Sequence, residues 1–311
     1  MFALREIAVA LSCFVLLYCL LSALVATAWR PLNPLHVAQR SVAAIFFALR
    51  SLPLAASVIV TFALVVPSFQ LLEKRSVHEG VGALPVTLGV CALVLIAWGC
   101  IRGMAVQTRT TRLVTRWLEG ARPLEVESDA TIAFQSQAET PPLILVGVWN
   151  PRVLVSEAAV ALLSRDELHI ALKHELEHVK SRDNLKKLIF CFCPFPGMAK
   201  LESAWSQAVE LAADDAAIAN PCDAVDLAAA LVKLSHLVPV EPAAVCAVGF
   251  AAGSLSQRVA RLLAWDEASA ARARIRIWYV VPFAVATSVL VSVAYSPVLA
   301  FTHEVTEWLV R

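Results

Sequence analysis

The run Ile7–Trp29 carries no charged residue. Crossing ~30 Å of hydrocarbon takes roughly 20 helical residues, so a run of this length constrains the fold more than any motif does. Three further runs match it, at Leu52–Leu72, Gly82–Ile101 and Ile277–Phe301. A softer apolar stretch, Ser41–Leu49, precedes the second and is cut off from it by Arg50. Prolines at 53, 67, 85 and 282 fall in or beside these runs, as membrane helices tolerate. With 59% hydrophobic and 16% charged residues, the chain has too little charge for an ordinary soluble surface. Arg5 and Ala26-Thr27-Ala28 give the first run some features of a signal peptide, but it outruns a typical apolar signal core and more runs follow. Four membrane spans are expected.

Basic residues set the orientation. Alternating spans put the loop 30–51 and the segment 102–276 on one side, with Arg30, Arg40, Arg50 and Arg102 close to the membrane. Arg109, Arg112 and Arg116 follow on that side, as do Arg272, Arg274 and Arg276. The other side holds Arg5, Lys74, Arg75 and Arg311, so the large segment is expected in the cytoplasm with both termini outside. That segment has 20 acidic and 19 basic residues, which excludes the basic excess a nucleic-acid binder needs. Its juxtamembrane arginines read as topology signals and lipid contacts. A reducing compartment argues against disulfides among the eight cysteines, and Cys191-Phe-Cys193 lacks the gap of common zinc pairs.

Residues 105–120 read as a short amphipathic helix leaving the membrane, and 123–136 as one or two strands. PPLILVGVWNPRVLVSEA, 141–158, reads as two strands around the turn Trp149–Arg152. Ser164 and Glu167 form a capping box that opens a helix expected to run to about Lys187. Further helices fit Lys200–Ala219, stopping at Asn220-Pro221, then 223–237 and 254–274. Between the first two, LIFCFCPFPGM (188–198) is too short to span, and fits either a hairpin dipping into the membrane or a buried loop.

Within the capped helix stands His174-Glu175-Leu-Glu-His178. A spacing of four places the two imidazoles ~40° apart on one face. From there both can reach one zinc at roughly 2.0–2.1 Å. Glu175 stands beside such a metal, placed to take a proton from its bound water. Charged helices also collect Glu, His and Lys for solubility, so this pattern alone leaves a solvated face open. The next helix narrows the choice. Glu210 and Asp214 share one face of a helix otherwise rich in Ala, Val and Leu, where a buried carboxylate is costly unless paired or bound to metal. Glu210 supplies the third ligand a catalytic zinc needs, and Asp214 can accept the free N–H of His174 or His178. No transition-state stabiliser is identifiable: His169 lies ~140° off the ligand face, and His236 stands alone and is expected to be structural.

His174–His178, followed by Arg182-Asp183 and Glu210-x-x-Ala-Asp214, resembles the integral-membrane zinc peptidases of the BlaR/MecR antirepressor type. The resemblance implies zinc on His174, His178 and Glu210, Glu175 as general base and Asp214 behind the ligands. It matches Arg258 to a family arginine near the site. It also makes the Gly147–Val155 stretch a strand that holds substrate by edge hydrogen bonds. Only His303–Arg311 follows the fourth run, where the family's sensors carry a penicillin-binding domain. Direct antibiotic sensing is therefore not expected, and a separate sensor partner is one open alternative.

The expected architecture is a multi-pass α-helical membrane protein with a cytoplasmic α+β zincin-like (gluzincin) domain. Residues 1–106 form the membrane region, 107–275 the peptidase domain, and 276–311 the fourth span and a short external tail. The expected activity is zinc-dependent cleavage, at a bacterial inner membrane, of a cytoplasmic protein such as a transcriptional repressor, or of the chain itself. Two alternatives remain: a non-proteolytic signalling protein with a structural zinc, and a quality-control or prenyl-protein type of protease. A transporter would want ionisable residues inside the spans, and they have almost none.

Overall fold

Long uncharged runs must satisfy their own backbone in lipid, and here they do so as helices. The computed structural model describes residues 2–29, 38–72, 82–124, 133–136, 140–237, 255–265 and 295–307. Helix α1 is Phe2–Ala28, α2 is Gln39–Val60, and a π-turn at Thr61–Val65 joins α2 to α3, Val66–Leu72. Helix α4, Ala83–Leu118, runs 36 residues without a break. Among the described residues, three stretches are long and apolar enough to cross a membrane: Ala3–Ala28, Gln39–Leu72 and Ala83–Leu118. Most of the expected fourth span, 277–294, lies outside the described residues, and 295–307 is helical. Two expectations merge into longer elements. Ser41–Leu49 belongs to α2, and the helix expected at 105–120 is the continuation of the third span.

The π-turn has a covalent cause. Pro67 offers no N–H to the Ala63 carbonyl and its ring crowds that turn. The helix widens, so that the Val66 N–H reaches back to the Thr61 carbonyl. The Tyr295 hydroxyl donates to the orphaned Ala63 carbonyl at 2.9 Å.

The remaining elements build a small sheet between helices. Strands β1 (Arg122–Pro123), β2 (Ala133–Ser136), β3 (Leu143–Val146) and β4 (Arg152–Ser156) lie in the order β1-β2-β4-β3. β2 pairs parallel with β4, and the other two pairings are antiparallel. Both faces are covered, which explains why β3 reads as an unbroken apolar run. Leu143, Leu145, Val153 and Val155 face Ala171 and Leu172 of α6 (Arg165–Ser181) and Ala230 and Leu234 of α9 (Pro221–Ser235). Ile144, Val146 and Leu154 face Trp117 at the end of α4. The short α5 is Glu157–Leu162.

The helix opened by Ser164 is shorter than expected. Its capping box is present in full, but Arg182 adopts the left-handed conformation (φ 54°) and breaks the run after Ser181. A new helix, α7, covers Asp183–Cys191, and α8 covers Ala199–Ala217. α9 starts at Pro221 behind an Asn220 N-cap, and α10, Leu255–Leu263, is shorter than the helix expected over 254–274, since Ala264 and Trp265 are no longer helical and 266–274 lie outside the described residues.

The linker after α7 packs on the apolar helices. A Cβ on Gly99 would lie 2.9 Å from the Phe192 carbonyl oxygen, and one on Gly103 would lie 2.6 Å from the Phe192 ring. Only glycine leaves room there. The Tyr18 hydroxyl donates to the Pro194 carbonyl at 3.1 Å. Arg50, buried on α2, donates to the Cys193 carbonyl (2.6 Å) and to Glu202 of α8 (2.8 Å). α8 in turn packs Leu201, Trp205, Ala208 and Val209 against α2 residues such as Val42 and Phe46.

Gly103→Leu should displace Phe192 and destabilise the protein by roughly 1–3 kcal/mol, the usual cost of overpacking. Thermal unfolding in detergent would register this as a lowered midpoint, whereas an unchanged midpoint would mean that the linker does not depend on the notch.

Candidate metal centre

On α6 the apolar residues Ala171 and Leu172 pack on the sheet, while Ile170 packs against the end of α8 and against α9, and His174 and His178, one and two turns beyond Ile170, are buried on its face. Their Nε2 atoms face each other at 3.2 Å. Two nitrogens on one tetrahedral ion at ~2.05 Å would stand roughly 3.3 Å apart, so the observed spacing suits shared ligation. The Glu210 carboxylate completes a triangle, 3.7 Å from His174 Nε2 and 3.8 Å from His178 Nε2. All three residues are buried and offer ligand atoms within 4.8 Å of one another. Two imidazoles and a carboxylate make a donor set that fits zinc.

Each imidazole has its own carboxylate behind it. His174 Nδ1 lies 3.1 Å from Asp214 Oδ1, at ion-pair distance. His178 Nδ1 lies 3.0 Å from Asp183 Oδ2. Of the two imidazoles that the sequence left open to it, Asp214 lies beside that of His174. Asp183 was missed as a partner, because an unbroken helix to Lys187 would carry its side chain away from His178. The left-handed residue at 182 turns the chain so that Asp183 opens α7 beside His178, with Lys186 holding its other oxygen at 2.9 Å. The only sequence signal was a carboxylate just past the motif.

The carboxylates of α8 meet a buried cation. Arg258, from α10, donates to Asp214 through Nε (2.8 Å) and NH2 (2.6 Å) and to Glu210 through NH1 (2.9 Å). Burial alone would raise the carboxyls of Glu210 and Asp214. The adjacent His174, together with the charge of Arg258, holds Glu210 at about 2 and Asp214 well below the usual carboxylate range. Burial would lower His174, but its contacts with Asp214 and Glu210 carry it up to about 9. Glu175 behaves differently. Its burial pushes the carboxyl up, beyond what the nearby His178 and His174 charges pull down, and its Oε2 has no hydrogen-bond partner among the described residues.

Other sequence candidates fall away from this centre. Glu177 pairs with Lys180 on its own helix. His169 and His236 are exposed. The strand expected to hold substrate needs correction: Arg152–Ser156 is internal, with β2 on one side and β3 on the other, so it has no free edge. Among the described residues the edge strands are β1 and β3, and the longer edge belongs to β3. The Ser156 N–H bonds to the Pro142 carbonyl, and this register turns the backbone groups of Leu143 and Leu145 outward. Asn184, next to Asp183, already donates to the Leu145 (3.3 Å) and Gly147 (2.9 Å) carbonyls on that edge.

The sequence model of a family described as BlaR1 peptidase M56 matches residues 4–262, which takes in the apolar helices and every residue of the centre. No curated protein matches the chain. The chain belongs to this peptidase family, and its membership suggests a membrane metallopeptidase.

Arg258→Met should leave Glu210 and Asp214 buried without their cation, at a cost of about 3–5 kcal/mol. Chemical denaturation in detergent would then show a large fall in the midpoint, and a midpoint equal to that of the wild type would contradict the role assigned to Arg258.

Proposed function

We propose that the chain is a zinc endopeptidase that cleaves a protein on the cytoplasmic side of a bacterial inner membrane. Family membership supports the peptidase class. The observation that carries the metal chemistry is Glu175, a buried carboxylate with an unpartnered oxygen, one residue along from His174. A purely structural zinc site needs no such group, and this weighs against the non-proteolytic alternative.

His174, His178 and Glu210 would hold one zinc ion. When bound, zinc supplies Lewis-acid chemistry, lowering the pKa of a water and polarising the scissile carbonyl. The remaining steps belong to the protein. Glu175 Oε2 takes the proton of the attacking water and passes it to the departing amine. Its raised pKa moves it toward the operating pH, where a general base is most effective. Asp183 accepts the Nδ1 proton of His178, and Asp214, at ion-pair distance from His174 Nδ1, holds that ring in orientation, so that both Nε2 atoms are directed inward. Arg258 keeps Glu210 ionised and in place. The substrate class is a cytoplasmic regulator, with a transcriptional repressor or the chain itself as candidates, and a separate membrane partner would supply the signal.

Glu175→Gln should retain metal and lose roughly 10²–10⁴-fold in cleavage, the usual contribution of a general base. Labelling of new protein N-termini in cells that express wild type or the variant reads this out. Termini that appear only with the wild type support the reading, and identical sets would overturn it. Asp183→Asn should weaken metal affinity by about 10–100-fold while the helices stay intact. A competition titration with a chelator measures that loss, and an unchanged affinity would remove Asp183 from the centre.

A further inference from the structure

The part of α4 beyond the apolar run carries Arg102, Arg109, Arg112 and Arg116, all four of them exposed. At ~100° per residue they fall within an arc of about 80°, so they form one stripe along the helix. The 36 residues of α4 include no aspartate or glutamate. None of the four arginines has an ion-pair or hydrogen-bond partner among the described residues. The face of α4 that packs on the sheet is a different one, formed by Leu113, Val114, Trp117 and Leu118. The Ser136 hydroxyl also donates to the Trp117 carbonyl at 2.8 Å, fixing the far end of the helix to β2. A cavity of about 470 Å³ lies along the stripe, bordered by Thr108, Thr111, Thr115, Arg112 and Arg116.

Lipid headgroups do not account for the whole stripe. The uncharged run ends at Ile101. Arg112 and Arg116 stand ~15 and ~21 Å further along the helix axis than Arg102. The headgroup layer adds only about 5–8 Å on each side of the hydrocarbon. The helix is continuous and clamped to the sheet, so it cannot fold down onto the membrane. Opposed to this rigid row of cations, an acidic polypeptide offers complementary charge at matching length. Roughly seven extended residues cover ~21 Å.

We propose that the arginine stripe of α4 is a docking surface for a carboxylate-rich segment of a second protein. The stripe lies on the side of α4 turned away from the sheet, so this surface is separate from the metal centre and does not depend on peptidase activity.

The test uses the full chain in nanodiscs of phosphatidylcholine, with a fluorescent peptide of about twelve glutamates as probe. Fluorescence anisotropy at low ionic strength should show binding to the wild type. The triple variant Arg109→Gln, Arg112→Gln, Arg116→Gln should weaken it on the order of tenfold, and added salt should abolish the difference. A control replacing Arg40 and Lys200, exposed residues off the stripe, with glutamine should bind like the wild type. All the replaced groups are exposed, so unfolding curves should coincide. Absence of binding, or an equal loss in the control, would overturn the proposal. So would stripe-dependent binding of single-stranded DNA of equal charge that matches or exceeds the peptide. In discs containing phosphatidylglycerol, loss of peptide binding together with stripe-dependent enrichment of that lipid would assign the surface to the membrane instead.

Discussion

Arg258 grips Asp214 with two nitrogens and Glu210 with a third, deep inside the protein. Without that cation, three carboxylates would crowd one interior: Glu175, Glu210 and Asp214. Mutual repulsion and lost hydration would drive them to protonate or to expel the helices that carry them. With it, α6 and α8 can bury their polar faces against each other, and the two imidazoles come to lie 3.2 Å apart at Nε2. The rest of the domain is a frame for that contact. The sheet backs α6, α9 and α10 close the side from which Arg258 enters, and α2 supports α8 from the apolar half.

Helical periodicity made the core of the centre legible. His174, His178, Glu210 and Asp214 each sit one turn from a partner within an unbroken helix, and spacing alone aligned them. Asp183 was hidden, because its position depends on one left-handed residue, Arg182, and nothing in its side chain announces that conformation. The substrate-strand expectation failed for a related reason. Both runs around Trp149 read as strands, but pairing order decides which one is an edge, and the long-range parallel pairing of β2 with β4 leaves β3 outermost. Arg258 was visible only by resemblance, since it lies 44 positions beyond Asp214 and meets it through the tertiary fold alone.

The apolar and polar halves are not independent. α4 runs from an apolar stretch to the sheet as one helix, and α8 carries Glu210 on a helix packed along α2. Arg50 and the Gly99–Gly103 notch tie the linker between α7 and α8 to α2 and α4. A shift among these helices therefore has short, stiff routes to both ligand helices. Interiors packed this closely transmit displacement and do not absorb it.

The measurement that bears most directly on this account is the metal content of the detergent-purified wild-type chain, combined with the X-ray absorption spectrum of the bound metal. The wild-type chain should carry about one zinc, coordinated by nitrogen and oxygen only, as two histidines and a glutamate require. A chain without stoichiometric metal, or a shell containing sulfur from the cysteines, would contradict it.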